Sequence, residues 1–566
     1  MKAGEVKRMA IKKEPRGIWD EYLKGISYNQ RIDLYETVKE NQNFVIGKQW
    51  ESVEAPDLEK PVLNFLKRVV SYFVAMLVSD DVSACITSFQ ETEENKQMAS
   101  VIEAQIPQIL EEADAKAKFR DCIKNAAVDA DGYIYSYFDA DAEIGQIAKG
   151  KIEMDIIDNT NIIFGNPYSN NIQKQPYILI IQRKMTEEVR KEAIANGMSE
   201  EDAGTIQADS ADFYIGEDSY GDELTTCIVK MWKENGTLWA TKTAQEVVIK
   251  KPWDTGYKRY QVAGFTWEKI KNSYHGVGAI TGYIPNQIAA NKLFAMAIYS
   301  IQTTAFPKII FDNNKIKKWV SKIGEAIGVN GDPERAFYTV KSGSDMSSQV
   351  MEVVRFIIDI TRDFMGASDA ALGNVKPDNT SAIIVAREAT GVPLELQRMG
   401  FYQTVEDLVR NIIDIMRQNY GEREVSYDDI DGNTINTMFD FSVLDTLNYK
   451  LNVDIGPSSY FSEIAQQQTL DGLFKNGIIK DAIMYVEQIP KKQLKNKSII
   501  LAKMKEQQQQ ELDALQAQLG PPNTVTPEGN NVIDIKKILS QLTTEELEAI
   551  EANPDLLKQI AGGQAA

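Results

Sequence analysis

The stretch from Phe364 to Ala389, FMGASDAALGNVKPDNTSAIIVAREA, constrains this chain more than any other. A strongly apolar helical run, Met351–Phe364, leads into it, and a long apolar helical run leads out. Between them stand Gly366, Asp369, Gly373, Pro377, Asp378 and Asn379, residues that interrupt helices and favour turns. A segment with no regular hydrogen bonding of its own belongs at a surface, because buried backbone groups need partners. Loops of that length between long helices tend to be functional or disordered.

The chain has 566 residues, too many for one compact core, so several domains are expected. Its 43% hydrophobic and 25% charged content is that of a globular protein and permits large cores. Eighty-two acidic against 62 basic residues leave a net charge of −20. Proteins that grip phosphates carry basic surfaces, so tight nucleic-acid binding is disfavoured over most of this one. Cys85, Cys122 and Cys227 lie far apart and match neither a metal spacing nor a disulfide framework. A reduced, cytosolic setting is therefore expected. The first residues, MKAGEVKRMAIKKEPRG, are charged and lack the apolar centre of a signal peptide. The longest apolar window, Ile288–Phe311, is broken by Lys292, Gln302, Pro307 and Lys308, so no membrane span is expected.

Periodicity divides the chain. Residues 1–40 read as helical, and Pro61 opens an amphipathic helix with Leu63, Leu66, Val69, Val70, Phe73 and Leu77 on one stripe. A helical stretch from Glu93 to Val128 contains Pro107, where a kink or break is expected. Alternation then predicts strands at Gly132–Asp139, Lys151–Ile157 and Tyr177–Lys184. A hairpin, Thr225–Trp232 with Leu238–Thr243, turns at Asn235-Gly236. Residues 120–270 thus read as an α+β domain. Beyond Gly276 a helix carries Ile284, Ile288, Ala295 and Ile298 on one face, with Ala289, Ala290 and Ala297 allowing close helix approach. A small β module follows: a strand at Lys308–Phe311, a helix at Lys315–Ile327 and a strand at Ala336–Val340. Helix resumes near Ser347 and again near Thr380, the latter run kinked at Gly391 and Pro393. Phe439–Leu444 and Tyr449–Ile455 read as strands, Ser462–Phe474 and Ile479–Glu487 as helices. After the polar tract Gln507–Gln510, a Gly/Pro linker from Gly520 to Asn531 precedes two terminal helices.

Catalytic signatures do not emerge. His275 is the only histidine, which rules out multi-histidine metal sites and makes a histidine-based triad improbable. In the loop Asn272-Ser-Tyr-His-Gly it reads as an ordinary surface or packing residue. No GxxxxGK[ST] phosphate loop occurs, and no glycine cluster matches a cofactor fingerprint. No catalytic residue, metal site or cofactor is assigned; carboxylates such as Asp155, Asp158, Asp428, Asp429 and Asp431 read as solvated surface, with a carboxylate-bound metal left open as the alternative. One basic cluster stands out: Lys308, Lys315, Lys317, Lys318 and Lys322 crowd the small β module. They suit an acidic partner or DNA, or simply a solvated helix face.

The order helix, small β module, helix, polar loop, long kinked helix resembles that of tailed-bacteriophage portal proteins, the head-to-tail connectors, of the large podophage type. FGNPYSNNIQKQPYILIIQRKM (Phe164–Met185) is similar to a wing segment of that family, and YIPNQIAANKLFAMAIYSIQTTAFPKIIF (Tyr283–Phe311) to its first stem helix entering the clip. DIGPSSYFSEIAQQQTLDGLFKNGII (Asp454–Ile479) resembles the segment returning through the wing toward the crown. The resemblance implies an α+β, mainly helical portal fold with β-rich parts in wing and clip. Its divisions would be a wing over 1–275, a first stem helix over 276–304, a clip over 305–346 and a second stem helix over 347–365. A tunnel loop would span 366–379, a kinked helix and return wing segment 380–494, and a helical crown or tail 495–566.

What the resemblance implies for function is a ring, usually of twelve subunits, at one capsid vertex. Such a ring is a non-enzymatic conduit for packaging and ejecting double-stranded DNA without sequence preference. Its partners would be the major capsid protein, the terminase large subunit and a head–tail adaptor or tail protein, and its place the virion, after assembly in the host cytoplasm. Gly366, Ser368, Asp369, Gly373, Asn374, Lys376, Asp378 and Asn379 would face DNA, and the five module lysines would dock partners. A capsid or tail-tube structural protein is the alternative, though it has no need of this helix–module–helix–loop–helix order.

Overall fold

The computed structural model describes residues 11–51, 53–54, 58–78, 81–88, 93–143, 145, 148–209, 223–305, 309–320, 326–339, 347–367, 392–428, 434–445 and 449–456, with short helical pieces between 469 and 510. The chain is of mixed α+β class, with long helices and antiparallel sheets. Two compact units divide it, residues 1–457 and residues 458–566.

The first unit begins with helices α1 (Pro15–Arg31), α2 (Leu34–Ile46) and α3 (Phe65–Val78), then strand β1 (Asp81–Ser88). Helices α4 (Glu93–Glu112) and α5 (Ala115–Asp129) lead into β2 (Asp131–Asp139), β3 (Lys151–Asp158), β4 (Ile162–Phe164) and β5 (Tyr177–Met185). Helices α6 (Thr186–Ala195) and α7 (Glu200–Gly204) precede β6 (Leu224–Glu234), β7 (Thr237–Ala244), β8 (Val247–Asp254) and β9 (Val262–Thr266). Helix α8 (Ile284–Ala305), strands β10 (Ile309–Phe311) and β11 (Phe337–Thr339) and helix α9 (Ser347–Phe364) follow. Helix α10 (Glu395–Asn419) and strands β12 (Glu422–Asp428), β13 (Thr434–Asp440) and β14 (Tyr449–Gly456) complete the unit. In the second unit, α11 (Ala482–Gln488) sets Tyr485 against Phe474 at a ring-centroid distance of 4.5 Å.

The larger sheet runs β4-β5-β6-β7-β8, the smaller β3-β2-β9, and both are antiparallel. The β6–β7 turn is the expected Asn235-Gly236, with φ values of 54° and 90°. Positive φ at both central residues gives a turn whose twist matches the strands, and these are the residue types that tolerate it. Helix α1 lies on the larger sheet through Ile18, Tyr22 and Ile26, against Ile163, Leu179 and Ile228. Gly25 permits the close approach, since a Cβ there would overlap Ile163. Buried Lys230 on β6 donates to the carboxylate of Glu21 and to the carbonyl of Lys12, fastening the start of the chain to the sheet.

The main core gathers α3, α4, α5 and α10 over the smaller sheet. The helical stretch from Glu93 does break, but at Asp114 (φ 51°) and not at Pro107, which lies inside α4 on its exposed side. On that side water can satisfy the carbonyl that a proline leaves unpaired. Two further expectations need correction. No helix starts at Lys315: residues 312–320 are turns and irregular chain, because Ile316 is buried and Trp319 stacks on Phe311 and Phe337. Phe439–Leu444 is not a strand throughout. Strand β13 ends at Asp440, whose carboxylate caps a 3₁₀ turn over Phe441–Asp445 by accepting from Ser442. Phe441 and Leu444 are both buried, at the three-residue spacing of that turn. No described helix is long and apolar enough to cross a membrane.

At the α5–β2 junction, burial pushes the Asp129 carboxyl up to about 7; the bond from Gln42 opposes this, and Asp158 adds to it. Oδ1 of Asp129 has no partner among the described residues. A carboxyl raised in the folded state contributes stability at low pH that is lost as pH rises from its ordinary 3.8 through about 7. Asp129→Asn removes this loss. The variant should unfold at higher denaturant than the wild type at pH 8, by on the order of 1–3 kcal/mol, with the difference shrinking toward pH 5. Equal pH slopes in denaturant titrations would contradict the assignment.

Candidate functional site

The most distinctive surface is the helical hairpin α8–α9 with the small β10–β11 sheet between the two helices. Its root is fixed by polar side chains. Asn291 and Gln287 stand one turn apart on α8, both buried in a largely apolar run. Gln287 Nε2 donates to the Leu63 carbonyl at 2.7 Å and to Asn291 Oδ1 at 3.1 Å. Asn291 Oδ1 accepts from the Leu63 N–H at 3.0 Å, and its Nδ2 donates to Gln49 Oε1 at 2.6 Å. A buried network of this kind fixes the helix rotation, since any slip leaves several groups unpaired. Neighbouring Asn286 donates to Thr361 Oγ1 on α9 at 3.0 Å. The alanines act as expected in part: Ala290, Ala295 and Ala297 are buried, while Ala289 is only partly so.

Away from the root the hairpin is apolar on more sides than it can cover. Val354 and Thr361 of α9 are buried, yet Val353, Phe356 and Phe364 point elsewhere, Phe356 being 64% exposed and Phe364 70%. On α8, Met296, Tyr299 and Ile301 are exposed. Helices of a stable monomer usually bury one stripe and leave a polar face to water. Here both helices carry a second, unburied apolar stripe, which is the mark of an interaction surface.

The tip of the hairpin has the same character. Phe311 and Phe337 pair across β10–β11 and stack with Trp319 on one side. The next pair, Ile310 and Tyr338, is 62% and 67% exposed. Among the sequence-predicted docking lysines, Lys315 is tethered: it donates to the Arg335 carbonyl at 3.1 Å and faces Asp312 at 3.6 Å. Lys317 and Lys318 are exposed and form no ion pair among the described residues. Lys308 and Lys322 lie outside the described residues.

Of the residues expected to face DNA, Gly366 is described; Ser368, Asp369, Gly373, Asn374, Lys376, Asp378 and Asn379 lie outside the described residues, as does the helix expected from Thr380 up to residue 391. Gly366 has φ 75°, and a Cβ on it would meet Pro393 Cβ at 2.7 Å. Residues 366 and 393 therefore lie side by side next to the start of α10. That helix is preceded by a 3₁₀ turn at Val392–Leu394, and Val392, Leu396 and Met399 form another exposed apolar stripe.

His275 is buried, its Nδ1 2.8 Å from Asp131 Oδ2, which agrees with a packing role. Cys122 and Cys227 are buried free thiols that burial pushes up, to about 12 and about 11. Thiols held protonated in this way are inert. Among the described residues no three His, Cys, Asp or Glu are placed to hold a metal ion. No protein-family model matches this chain, and no curated protein matches it in sequence.

Gln287 and Asn291 escaped the sequence reading, although two amides at helical spacing inside an apolar run were a signal. Asn291→Ala leaves the Leu63 N–H, the Gln49 side chain and Gln287 short of partners. It should lower unfolding free energy by about 2–4 kcal/mol in denaturant titration. A loss below about 0.5 kcal/mol would show that the network does not hold the hairpin.

Proposed function

We propose that this chain is a non-enzymatic portal subunit of a tailed bacteriophage, one of a ring through which DNA is packaged and ejected. The observation that carries the reading is the hairpin α8–α9. Two helices rooted in a rigid domain, with a small β tip between them, expose separate apolar stripes at Met296 and Tyr299 on one helix and at Val353 and Phe356 on the other. Two different unpartnered faces on one protomer suit a head-to-tail contact, in which one copy's stripe covers the other stripe of the next. Such heterologous contacts close into rings when the rotation divides the circle.

In this reading α8 and α9 are the stem, residues 305–346 the clip, and the sheets with α1–α5 and α10 the wing. A 22-residue α8 spans roughly 33 Å, enough for a collar through a shell. The acidic balance fits as well. A twelve-fold ring would carry a formal charge of about −240 (12 × −20), and an acidic wall repels phosphates instead of holding them. At physiological salt that repulsion reaches roughly 8–10 Å, so it acts at the wall and leaves the duplex free to slide. The clip, with Ile310 and Tyr338 exposed beside Lys317 and Lys318, is the docking place for the packaging motor and later the tail.

Purified chain should form a large ring of near twelve subunits, visible by negative-stain microscopy as a particle with a central hole. Phe356→Asp with Val353→Asp should shift it to monomers at micromolar concentration, with far-ultraviolet circular dichroism unchanged. A wild-type monomer, insensitive to salt, would defeat the proposal. Lys317→Glu with Lys318→Glu should preserve rings and weaken docking of the terminase large subunit at least about tenfold in a pull-down titration, equivalent to about 1.4 kcal/mol. Unchanged docking would make those lysines a solvated face.

A further inference from the structure

A groove on the first unit, remote in sequence from the hairpin tip, has no part in the ring reading. One end is a depression of about 400 Å³ against Leu23, Ser27 and Arg31 on the C-terminal half of α1. The other is a cavity of about 310 Å³ between the α1–α2 turn and the 268–276 loop, walled by Ile32, Tyr168 and Ile270. Tyr28 and Arg31 line both, so the two adjoin and are treated as one groove. A cavity of this size with apolar walls and a few polar groups has the make-up of a binding site.

Leu23, Ile32, Tyr168 and Ile270 are all large apolar side chains left exposed along it. Four cations stand on the same segments: Lys24 and Arg31 on α1, Lys269 and Lys271 on the loop. Among the described residues none of the four has an ion-pair partner. At the other end of α1 the lysines are engaged, Lys12 with Asp20 and Lys13 with Glu234. Arg31 is held over the Tyr28 ring, 5.3 Å from its centroid, which keeps the guanidinium at the groove. His275 contributes to the wall, and its buried Nε2 has no partner among the described residues. Both bordering turns are held in left-handed backbone by non-glycine residues, Asp33 at φ 53° and Asn272 at φ 57°. In a chain of net charge −20, four cations thus border one apolar groove.

We propose that this groove binds an acidic protein segment through one apolar anchor. The anchor seats between Ile32, Tyr168 and Ile270, and the carboxylates that flank it meet Arg31 and Lys24. Arginine favours such a partner because its planar fork matches a carboxylate. A nucleic acid suits the surface less well. Apolar side chains interrupt the cations, whereas a phosphate backbone needs a continuous basic track.

Fluorescence anisotropy on the full chain tests this with a short fluorescein-labelled peptide of glutamates around a central Leu-Phe pair. Three controls accompany it: the same peptide with Ser-Ser at the centre, its lysine counterpart, and a labelled DNA duplex. The Leu-Phe acidic peptide should bind in the micromolar range, at least about tenfold tighter than either control peptide. Lys24→Glu with Arg31→Glu should weaken it at least about tenfold, as should Tyr168→Ser with Ile270→Ser. Lys251→Glu, on the exposed part of β8, should leave it unchanged, and all variants should keep the wild-type circular dichroism spectrum and elution volume. No binding up to millimolar protein would overturn the proposal. Equal binding of the Ser-Ser peptide would reduce it to bare charge attraction and also overturn it. Duplex binding abolished by the Lys24/Arg31 variant would assign the surface to nucleic acid instead.

Discussion

Helix α10 is the constraint on which the first unit depends. From Asn411 to Met416 every residue is buried, so the helix has no solvent face over that stretch. Polar side chains enclosed in this way are costly unless hydrogen-bonded, and among the described residues only part of Asn411, its Nδ2, lacks a partner on this stretch. Asp414 Oδ2 accepts from the N–H groups of Lys258 and Arg259 at 2.7 and 3.0 Å and from the Gln261 side chain, while Oδ1 takes Arg417 at 3.0 Å. Arg417 also donates to the Gly256 carbonyl, and Arg259 reaches Asn411 and Asp407. These bonds lock the 256–261 loop to the helix, and the loop leads directly into β9. The smaller sheet, α5 behind it and α3 and α4 beyond thus share one reference.

That rigidity sets what the hairpin can do. Helix α8 leaves the core through the Gln49–Gln287–Asn291 network, so its rotation is fixed before any partner arrives. An exposed apolar stripe on a floppy arm tends toward non-specific association. On a fixed arm it presents one face at one angle, which a closed ring requires of each of its subunits. The aromatic cluster of Phe311, Trp319 and Phe337 does the same for the tip, holding Ile310 and Tyr338 outward on a sheet of only two short strands.

Much of this was legible in the sequence, and the misses have a common cause. The hairpin helices, the Asn235-Gly236 turn and strands β2, β3, β5, β6 and β7 follow from local period and turn chemistry, whereas β4, β8 and β9 of the same sheets were not read. Strand β1 did not show itself, because its partner β14 lies at the far end of the unit and its register, Asp81 opposite Gly456, is a property of the folded whole. The helix expected from Lys315 was overridden by tertiary packing of Ile316 and Trp319. For the candidate site, the exposed stripes at Phe356 and Met296 were invisible as such: sequence marks them apolar, and only the fold shows that they stay exposed. The Lys24–Arg31 groove is more hidden still, since its walls come from α1, the Tyr168 loop and the 268–276 segment.

The absence of a sequence match is compatible with the function proposed. A catalytic site requires particular residue types within a few tenths of an ångström of one geometry, and motifs persist for that reason. A ring-forming conduit asks for less: an apolar stripe of suitable pitch, a rigid root and an acidic lining. Leucine, methionine, valine or phenylalanine can each supply the stripe, and volume-conserving exchanges among them cost little. Amides at Gln287 and Asn291 are the stricter demand, because only hydrogen-bonding side chains of that length reach Leu63 and Gln49 together. The order of elements, with its two buried polar positions at the root of the hairpin, is therefore the part of such a protein with most reason to persist when identity at individual positions has drifted away.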